Sequence, residues 1–189
     1  MIRIGILGNI GSGKSYVAKN FGYPVFNADY EVSKLYKKDK KIFKKLKKKL
    51  PKYISSFPIN KNEITKAILS NKANLKKIIT IVHLEIRKIL KLFLKKNRNK
   101  KVIILDIPLL LENKINNKDD ILVFVDSKKI EIEKRLKKRL NFNRKLINKF
   151  KKIQFSSSYK KKKSNFIIKN NFKKKSINKS IKKILDEIL

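Results

Sequence analysis

Near its N-terminus the 189-residue sequence reads Gly8-Asn9-Ile10-Gly11-Ser12-Gly13-Lys14-Ser15, which matches the pattern G-x-x-x-x-G-K-[ST] at every fixed position. An apolar run at residues 2–7 precedes this stretch and an amphipathic segment at residues 15–21 follows it, as expected for a strand, a loop and a helix. The whole sequence holds only five glycines, all within its first 22 residues. Glycine lets successive backbone N–H groups turn toward one anion, and the start of a helix adds a positive dipole. The stretch therefore predicts a loop that binds phosphate.

The residue types in this loop indicate a nucleoside triphosphate as the ligand. The Lys14 ammonium is expected to bridge the β- and γ-phosphates of ATP, and the Ser15 hydroxyl is expected to bind Mg²⁺. The loop backbone that encloses the phosphates is expected to come from Gly8, Gly11, Ser12 and Gly13. We therefore expect ATP and Mg²⁺ as cofactors.

Short apolar runs alternate with longer, lysine-rich amphipathic segments. Candidate strands lie at residues 2–7, 23–26, 102–107, 121–125 and 166–168, and candidate helices at 15–21, 30–50 (with a break), 64–69, 73–96, 128–140, 144–155 and 177–188. The strands are uninterrupted apolar runs, which is typical of a parallel sheet buried on both faces. The alternation predicts an α/β fold of the P-loop NTPase type, with a doubly wound parallel sheet of about five strands.

We interpret residues 1–189 as a single P-loop domain with a core at 1–36 and 99–189. The segment at about 37–98 is mostly helical and long for one crossover between strands, so we expect an inserted helical subdomain that binds substrate. Two helical segments meet at residues 141–143, and this break predicts the tip of a helical lid at about 135–160.

Only 14 residues are acidic, so their placement is informative. Asp29 follows the second strand, where the crevice at the carboxyl ends of parallel strands receives ligands. A carboxylate there can accept the proton of an acceptor hydroxyl, and the alternative is a cap for a helix from Tyr30. Asp106 ends the third strand and is a candidate Mg²⁺ ligand, with a strand-end turn as the alternative. Asp126 ends the fourth strand, and we interpret it as a cap for the helix from Lys128.

Further charged residues are candidates for phosphate or substrate contacts. Arg135 and Arg139 are spaced i, i+4 on one predicted helix face, which favours a phosphate clamp on the lid. The alternative is a solvated face. His83 and Arg87 share the same spacing on the long helix, where packing is the alternative to substrate binding. Glu112 either faces the substrate or caps a helix.

Composition narrows the class of protein. The formal net charge is +38, yet only six of the 52 basic residues are arginine, and the lysines are dispersed along the chain. Because base recognition relies on the planar fork of arginine, we expect weak binding to polyanions and no specific nucleic-acid partner. Cysteine is absent and no apolar run is long enough for a membrane span. We expect a cytoplasmic monomer without a membrane partner.

Together these residues resemble the dephospho-CoA kinase family, in order along nearly the whole chain. The family's G-I-G-S-G-K-S sequence is similar to residues 10–15 after Gly8, and its D-A-D motif resembles Asn27-Ala28-Asp29. Its H-P-x-I-R motif is similar to His83-Leu84-Glu85-Ile86-Arg87, and its D-x-P-L-L-F-E motif to Asp106-Ile107-Pro108-Leu109-Leu110-Leu111-Glu112. The family's R-x-x-x-R pair, later glutamine and V-I-D-N motif look like Arg135 with Arg139, Gln154, and Ile167-Ile168-Lys169-Asn170.

The resemblance implies a reaction and a set of roles. The family transfers the ATP γ-phosphoryl group to the ribose 3′-hydroxyl of dephospho-CoA, giving CoA and ADP in the last step of coenzyme A synthesis. Asp29 would be the catalytic base, and Lys14 and Arg139 would act on the transferring phosphate. Tyr16, Arg135 and Arg139 would join the phosphate loop in binding ATP. The residues implied in substrate binding are Asp29, His83, Arg87, Pro108, Leu109, Leu110 and Glu112.

The sequence departs from the family pattern at several of these positions. Asn9 replaces glycine, Tyr16 replaces threonine, Asn27 replaces the first aspartate of D-A-D, and Leu84 replaces proline. Ser33 and Lys160 stand where arginines are common. Three alternatives stay open. They are another small-molecule P-loop kinase, a P-loop ATPase that binds nucleic acid, which the charge alone suggests, and a nucleotide-binding protein that has lost catalysis through these departures.

Overall fold

The computed structural model describes residues 1–138 and 142–189. The strands are β1 (Ile2–Gly8), β2 (Val25–Asn27), β3 (Val102–Asp106), β4 (Ile121–Asp126) and β5 (Phe166–Lys169). The helices are α1 (Lys14–Asn20), α2 (Ala28–Lys38), α3 (Lys40–Lys49), α4 (Lys61–Ser70), α5 (Lys72–Lys96), α6 (Lys129–Lys137), α7 (Arg144–Ile153), α8 (Ser157–Lys162) and α9 (Lys174–Ile188). All five predicted strands are confirmed, and α8 was not predicted.

The strands form one sheet in the order β2-β3-β1-β4-β5, and every neighbouring pair is parallel. β1 lies at the centre, so Ile4 pairs with Ile104 of β3 on one side and with Ile121 of β4 on the other. Parallel strands place their carboxyl ends at the same edge of a sheet. The phosphate loop therefore begins at the middle of that edge, directly after Gly8.

The central strands are buried on both faces, which explains their uninterrupted apolar sequences. All five residues of β3 are buried. On one face α1 and α9 contribute Val17, Phe21, Ile177 and Ile181 to a core with strand residues such as Ile6. On the other face Gly5 of β1 leaves room for Leu110, because a Cβ on Gly5 would lie 2.6 Å from Leu110 Cδ2.

The described chain divides into two compact units. The first comprises Met1–Asn27, Asn97–Asn143 and Phe150–Leu189 and contains the sheet. The second comprises Ala28–Lys96 and Arg144–Lys149 and is helical. The finer division predicted above, with an insertion at 37–98 and a lid at 135–160, stays a prediction.

Local hydrogen bonds set the helix boundaries of the second unit. The predicted break within residues 30–50 lies at Asp39, whose side chain accepts a 2.9 Å bond from Ile42 N and so caps α3. At the other end of the unit's sequence, Lys149 Nζ donates to the carbonyl oxygens of Ile68 and Leu69, at 2.7 and 2.8 Å. These carbonyls lie in the last turn of α4, so Lys149 satisfies acceptors that the helix leaves without a partner.

Among the described residues, none of the helices combines the length and the apolar character that a bilayer crossing requires.

Candidate active site

The phosphate loop connects β1 to α1 and depends on glycine at its end. Gly13 immediately precedes α1 with φ 88°, a left-handed conformation that other residues rarely adopt. A Cβ on Gly13 would also lie 2.5 Å from Nδ2 of Asn170. A side chain at this position would be strained by the backbone conformation and would clash with Asn170, so the loop requires glycine here, as the motif predicts.

Two residues that directly follow strands hold the phosphate loop in place. Ser127 Oγ, which follows β4, and Asn170 Nδ2, which follows β5, donate to the same carbonyl oxygen of Ser12, at 2.9 and 2.8 Å. Ser12 is only 1% exposed, and in the described parts of the chain its own hydroxyl has no hydrogen-bond partner. A buried hydroxyl without a partner is unfavourable, so this group fits a loop that closes around phosphate oxygens.

Asn9 stabilises the first half of the loop through its side chain. Its Nδ2 donates to Ser157 Oγ at 2.9 Å, and the same hydroxyl donates back to Asn9 Oδ1 at 3.0 Å. Ser157 is the first residue of α8. The asparagine that stands where the family has glycine therefore ties the loop to α8.

Lys14 lies over the carbonyls of the loop. Its Nζ donates to Asn9 O at 3.0 Å and to Gly8 O at 3.2 Å. The ammonium is thus positioned at the loop.

A pocket of about 220 Å³, a volume that includes space open to solvent, adjoins Lys14. Its lining comprises Ile6, Leu7, Gly8, Lys14, Ile107, Leu109, Leu110, Glu112, Gln154 and Lys160.

Leu109, one of the predicted substrate residues, has a left-handed φ of 58°, a strained conformation of the kind that concentrates at functional sites. Glu112 Oε1 accepts a 2.8 Å bond from Phe155 N, so its carboxylate holds the connection between α7 and α8. Pro108 lies in the same segment, between β3 and Leu109.

Asp106 lies at the edge of the sheet beside β2. It is 3% exposed, and its Oδ2 accepts a 2.6 Å bond from Nδ2 of Asn27. The two residues are register partners at the ends of β3 and β2. Ser15, the other predicted Mg²⁺ ligand, lies in the first turn of α1 with an exposed side chain, as does Tyr16, which is 39% exposed.

The interpretation of Asp126 as a helix cap is wrong. No side chain caps α6, which begins after Lys128. The Asp126 carboxylate instead accepts a 2.7 Å bond from Lys161 Nζ in α8. Sequence pattern cannot reveal this pairing, because the partner lies 35 residues away in a run of lysines.

The structure describes only one of the two arginines predicted for the lid. Arg135 lies on α6, and its guanidinium stacks over the ring of Phe172 with Cζ 4.1 Å from the ring centroid. That ring also lies beside the phosphate loop, since a Cβ on Gly13 would be 3.0 Å from Phe172 Cε1. Arg139 lies outside the described residues.

The remaining predicted residues belong to the helical unit. Asp29 is the second residue of α2 and has an exposed side chain. It lies within the first turn, because α2 begins at Ala28 rather than at Tyr30. On α5, burial lowers the pKa of His83, and the positive charge of Arg87 lowers it further.

Lys160 is a pocket residue that sequence reasoning did not assign to the site. It is only 2% exposed, although it belongs to four consecutive lysines. Burial lowers its pKa, and the Glu112 carboxylate opposes that shift. Composition offers no signal that separates this lysine from its neighbours.

The geometry defines the class of protein. A central parallel strand leads into a complete phosphate loop, and an aspartate ends the neighbouring strand at the same edge of the sheet. This arrangement is that of a P-loop phosphotransferase or NTPase.

Comparison with known proteins identifies the family. The dephospho-CoA kinase family model matches residues 2–176. A dephospho-CoA kinase of Wolbachia pipientis wMel is 34% identical over 190 residues, covering 98% of this chain and 97% of the relative. The crystal structure of TT1252 from Thermus thermophilus superposes with a TM-score of 0.81 at 26% identity, covering 100% of this chain and 98% of that one. A dephospho-CoA kinase from Campylobacter jejuni shares the fold, with a TM-score of 0.61 at 22% identity over 98% of this chain and 96% of that one.

The chain belongs to the dephospho-CoA kinase family. It is therefore an ATP-dependent phosphotransferase with an alcohol group as acceptor, and the family's reaction is the final step of coenzyme A biosynthesis. The resemblance found in the sequence motifs is confirmed.

Proposed function

We propose that this chain transfers the γ-phosphoryl group of ATP to the ribose 3′-hydroxyl of dephospho-CoA with Asp29 as the general base. The observation that carries the proposal is the meeting of the phosphate loop and Asp106 at one edge of the sheet, where β2 also ends. Asp29 follows β2 after a single intervening residue. This place in the chain supports a carboxylate directed at the crevice where ligands bind.

The chemistry follows from these positions. The Asp29 carboxylate accepts the proton of the 3′-hydroxyl as its oxygen attacks the γ-phosphorus. The bond from that phosphorus to the β–γ bridging oxygen breaks, and the electron pair leaves with ADP. Lys14 stabilises the negative charge on the phosphates during transfer. The buried Ser12 hydroxyl lacks a partner in the described chain, so it is suited to donate to a phosphate oxygen.

Ser15 and Asp106 are the residues that would hold Mg²⁺. Both supply oxygen donors, which this hard cation prefers, and the metal would neutralise phosphate charge. Among residues 1–138 and 142–189 no cluster of three or more acidic or histidine side chains is arranged for a metal. That fits an ion held by one carboxylate, one hydroxyl and the nucleotide phosphates.

The remaining residues are proposed to bind the two substrates. Arg135 and Arg139 would contact ATP from the lid, with Tyr16 near the loop. The acceptor would contact His83 and Arg87 on α5, and Pro108, Leu109, Leu110 and Glu112 after β3. The motif resemblance supports these assignments, and the position of the last three in the pocket beside Lys14 supports them further.

We also propose that the protein acts as a cytoplasmic monomer and that its charge has no nucleic-acid function. The lysines are dispersed rather than arranged in a pattern that could read bases. Any binding to DNA or RNA should then fall steeply with salt and show no sequence preference.

An acceptor screen tests the proposed function. Purified protein is incubated with ATP, Mg²⁺ and one acceptor at a time: dephospho-CoA, adenosine, deoxyadenosine or shikimate. ADP release is coupled to a spectroscopic readout, and ³¹P NMR locates the new phosphate. We expect turnover with dephospho-CoA and a product phosphorylated at the 3′ position. Faster turnover with another acceptor, or phosphate at another position, would contradict the proposal.

A further inference from the structure

The side chain of Lys160 is the most deeply buried amine of the pocket beside the phosphate loop. It projects from α8, which packs against β1, and it lines the pocket together with Gly8 and Lys14. Its neighbours in the lysine run differ from it. Lys161 is bonded to Asp126, and Lys162 is exposed.

The ammonium of Lys160 makes no hydrogen bond or ion pair with any residue that the structure describes. Glu112 acts on it through its charge without a salt bridge. Its backbone, by contrast, is fully engaged, because Lys160 N donates to Ser156 O at 3.0 Å and Lys160 O accepts from Ser164 Oγ at 2.7 Å. Burial of an unpaired charge is strongly unfavourable, and an anion bound in the pocket would stabilise the ammonium.

We propose that Lys160 is a catalytic residue that binds the γ-phosphate of ATP together with Lys14. This inference rests on the proposed ATP-dependent transfer and adds a second cation to it. The γ-phosphate is favoured over the other phosphates because the pocket joins the loop to Leu109 and Glu112, the segment proposed to meet the acceptor. An ammonium at this point stabilises the charge that the transferring group spreads over its oxygens.

The proposal also explains the bond between Glu112 and Phe155 N. That bond fixes the chain two residues before α8, and the paired contacts of Asn9 with Ser157 fix the first residue of α8. These contacts therefore anchor the N-terminal end of α8. Glu112 also keeps a negative charge near Lys160, which favours the protonated amine that a phosphate requires.

Binding measurements without acceptor test the proposal independently of the transfer reaction. The variants are Lys160→Met, which removes the charge at similar length, Lys160→Arg, which keeps it, and the matched control Lys162→Met on the same helix. Calorimetry measures the affinity of each for ATP, for ADP and for dephospho-CoA. We expect Lys160→Met to weaken ATP binding by about tenfold or more, with ADP and dephospho-CoA affinities close to wild type. Lys160→Arg and Lys162→Met should bind all three ligands almost normally.

Steady-state kinetics then test catalysis. Lys160→Met should lower kcat by about 10²-fold, a loss typical for one charge-stabilising group, and Lys160→Arg should recover most of it. Thermal melting checks that each variant folds, and Lys160→Gln replaces Lys160→Met if the latter does not. Equal losses of ATP and ADP affinity, or a loss confined to dephospho-CoA, would overturn the γ-phosphate assignment. So would a kcat for Lys160→Met that matches Lys162→Met. If wild type binds ATP through Lys160 yet fails to phosphorylate dephospho-CoA, the proposed function fails while this inference stands.

Discussion

Asn27 and Asp106 are joined by a 2.6 Å hydrogen bond from Nδ2 of the amide to Oδ2 of the carboxylate. They are register partners at the ends of adjacent parallel strands. A carboxylate in place of Asn27, as in the family's D-A-D motif, would set two negative charges side by side. The amide instead donates a charge-assisted hydrogen bond to the Asp106 carboxylate. The bond therefore holds the buried Asp106 carboxylate against the end of β2.

Replacement of Asn27 by aspartate should make stability depend on Mg²⁺. Without metal, Asn27→Asp should lower the free energy of unfolding by about 1–3 kcal/mol, because a bond to a charged group is lost and like charges meet. Added Mg²⁺ should recover more stability in the variant than in wild type. Chemical denaturation with and without Mg²⁺ measures both effects, and Asn27→Ala controls for the lost bond alone. An equal Mg²⁺ response in wild type and Asn27→Asp would argue against a metal at Asp106.

Loss of the loop lysine should abolish catalysis while leaving the fold intact. Lys14 donates to backbone carbonyls of its own loop and is expected to contact the phosphates of ATP. Lys14→Ala should therefore lower kcat by about 10²–10³-fold, as expected for removal of a charge that stabilises the transferring group. Lys19→Ala, an exposed site on the same helix, is the control. Steady-state kinetics and melting curves compare the two variants. Normal turnover in Lys14→Ala would contradict the assignment of this loop to the ATP site.

The single histidine should make stability depend on pH. Burial and Arg87 lower the pKa of His83 below its usual 6.5 in the folded protein. As the pH falls below 6.5, the unfolded chain takes up a proton that the folded protein does not, so folding becomes less favourable. The stabilisation is present above pH 6.5 and is lost as pH falls through the lowered pKa.

Chemical denaturation across this pH range measures the effect. The decrease in stability should be smaller in His83→Gln than in wild type, because the variant lacks the titrating group. Parallel pH profiles for the two proteins would show that His83 does not titrate in the way its surroundings indicate.

Local sequence was sufficient for the strands and the phosphate loop and insufficient for the side-chain pairings between elements. Apolar runs predicted all five strands because a parallel sheet buries both faces, and the glycines of residues 8–13 predicted the loop because few other residues adopt its backbone. The bond of Asn27 to Asp106 and the pairing of Asp126 with Lys161 depend on strand register and on the position of α8. Neither leaves a periodic signal in the sequence.

Because the sequence contains so many lysines, it does not reveal which of them line the pocket. The motif resemblance places Lys160 where arginines are common, but only the packing of α8 shows that Lys160 is buried while Lys162 is exposed. The short helix itself was not predicted, and Ser156 caps it within a run of serines. Its cap is a bond from Tyr159 N to Ser156 Oγ at 3.2 Å.

The rate of phosphoryl transfer in Asp29→Asn tests the central claim most directly. The exchange is nearly isosteric, but an amide cannot take the proton of the 3′-hydroxyl. Rapid-quench single-turnover measurement with ATP, Mg²⁺ and dephospho-CoA should show a rate about 10²–10⁴-fold below wild type. ATP affinity and melting temperature should remain nearly unchanged, because Asp29 lies exposed in the first turn of α2. A transfer rate within a few-fold of wild type, with dephospho-CoA bound normally, would contradict Asp29 as the general base.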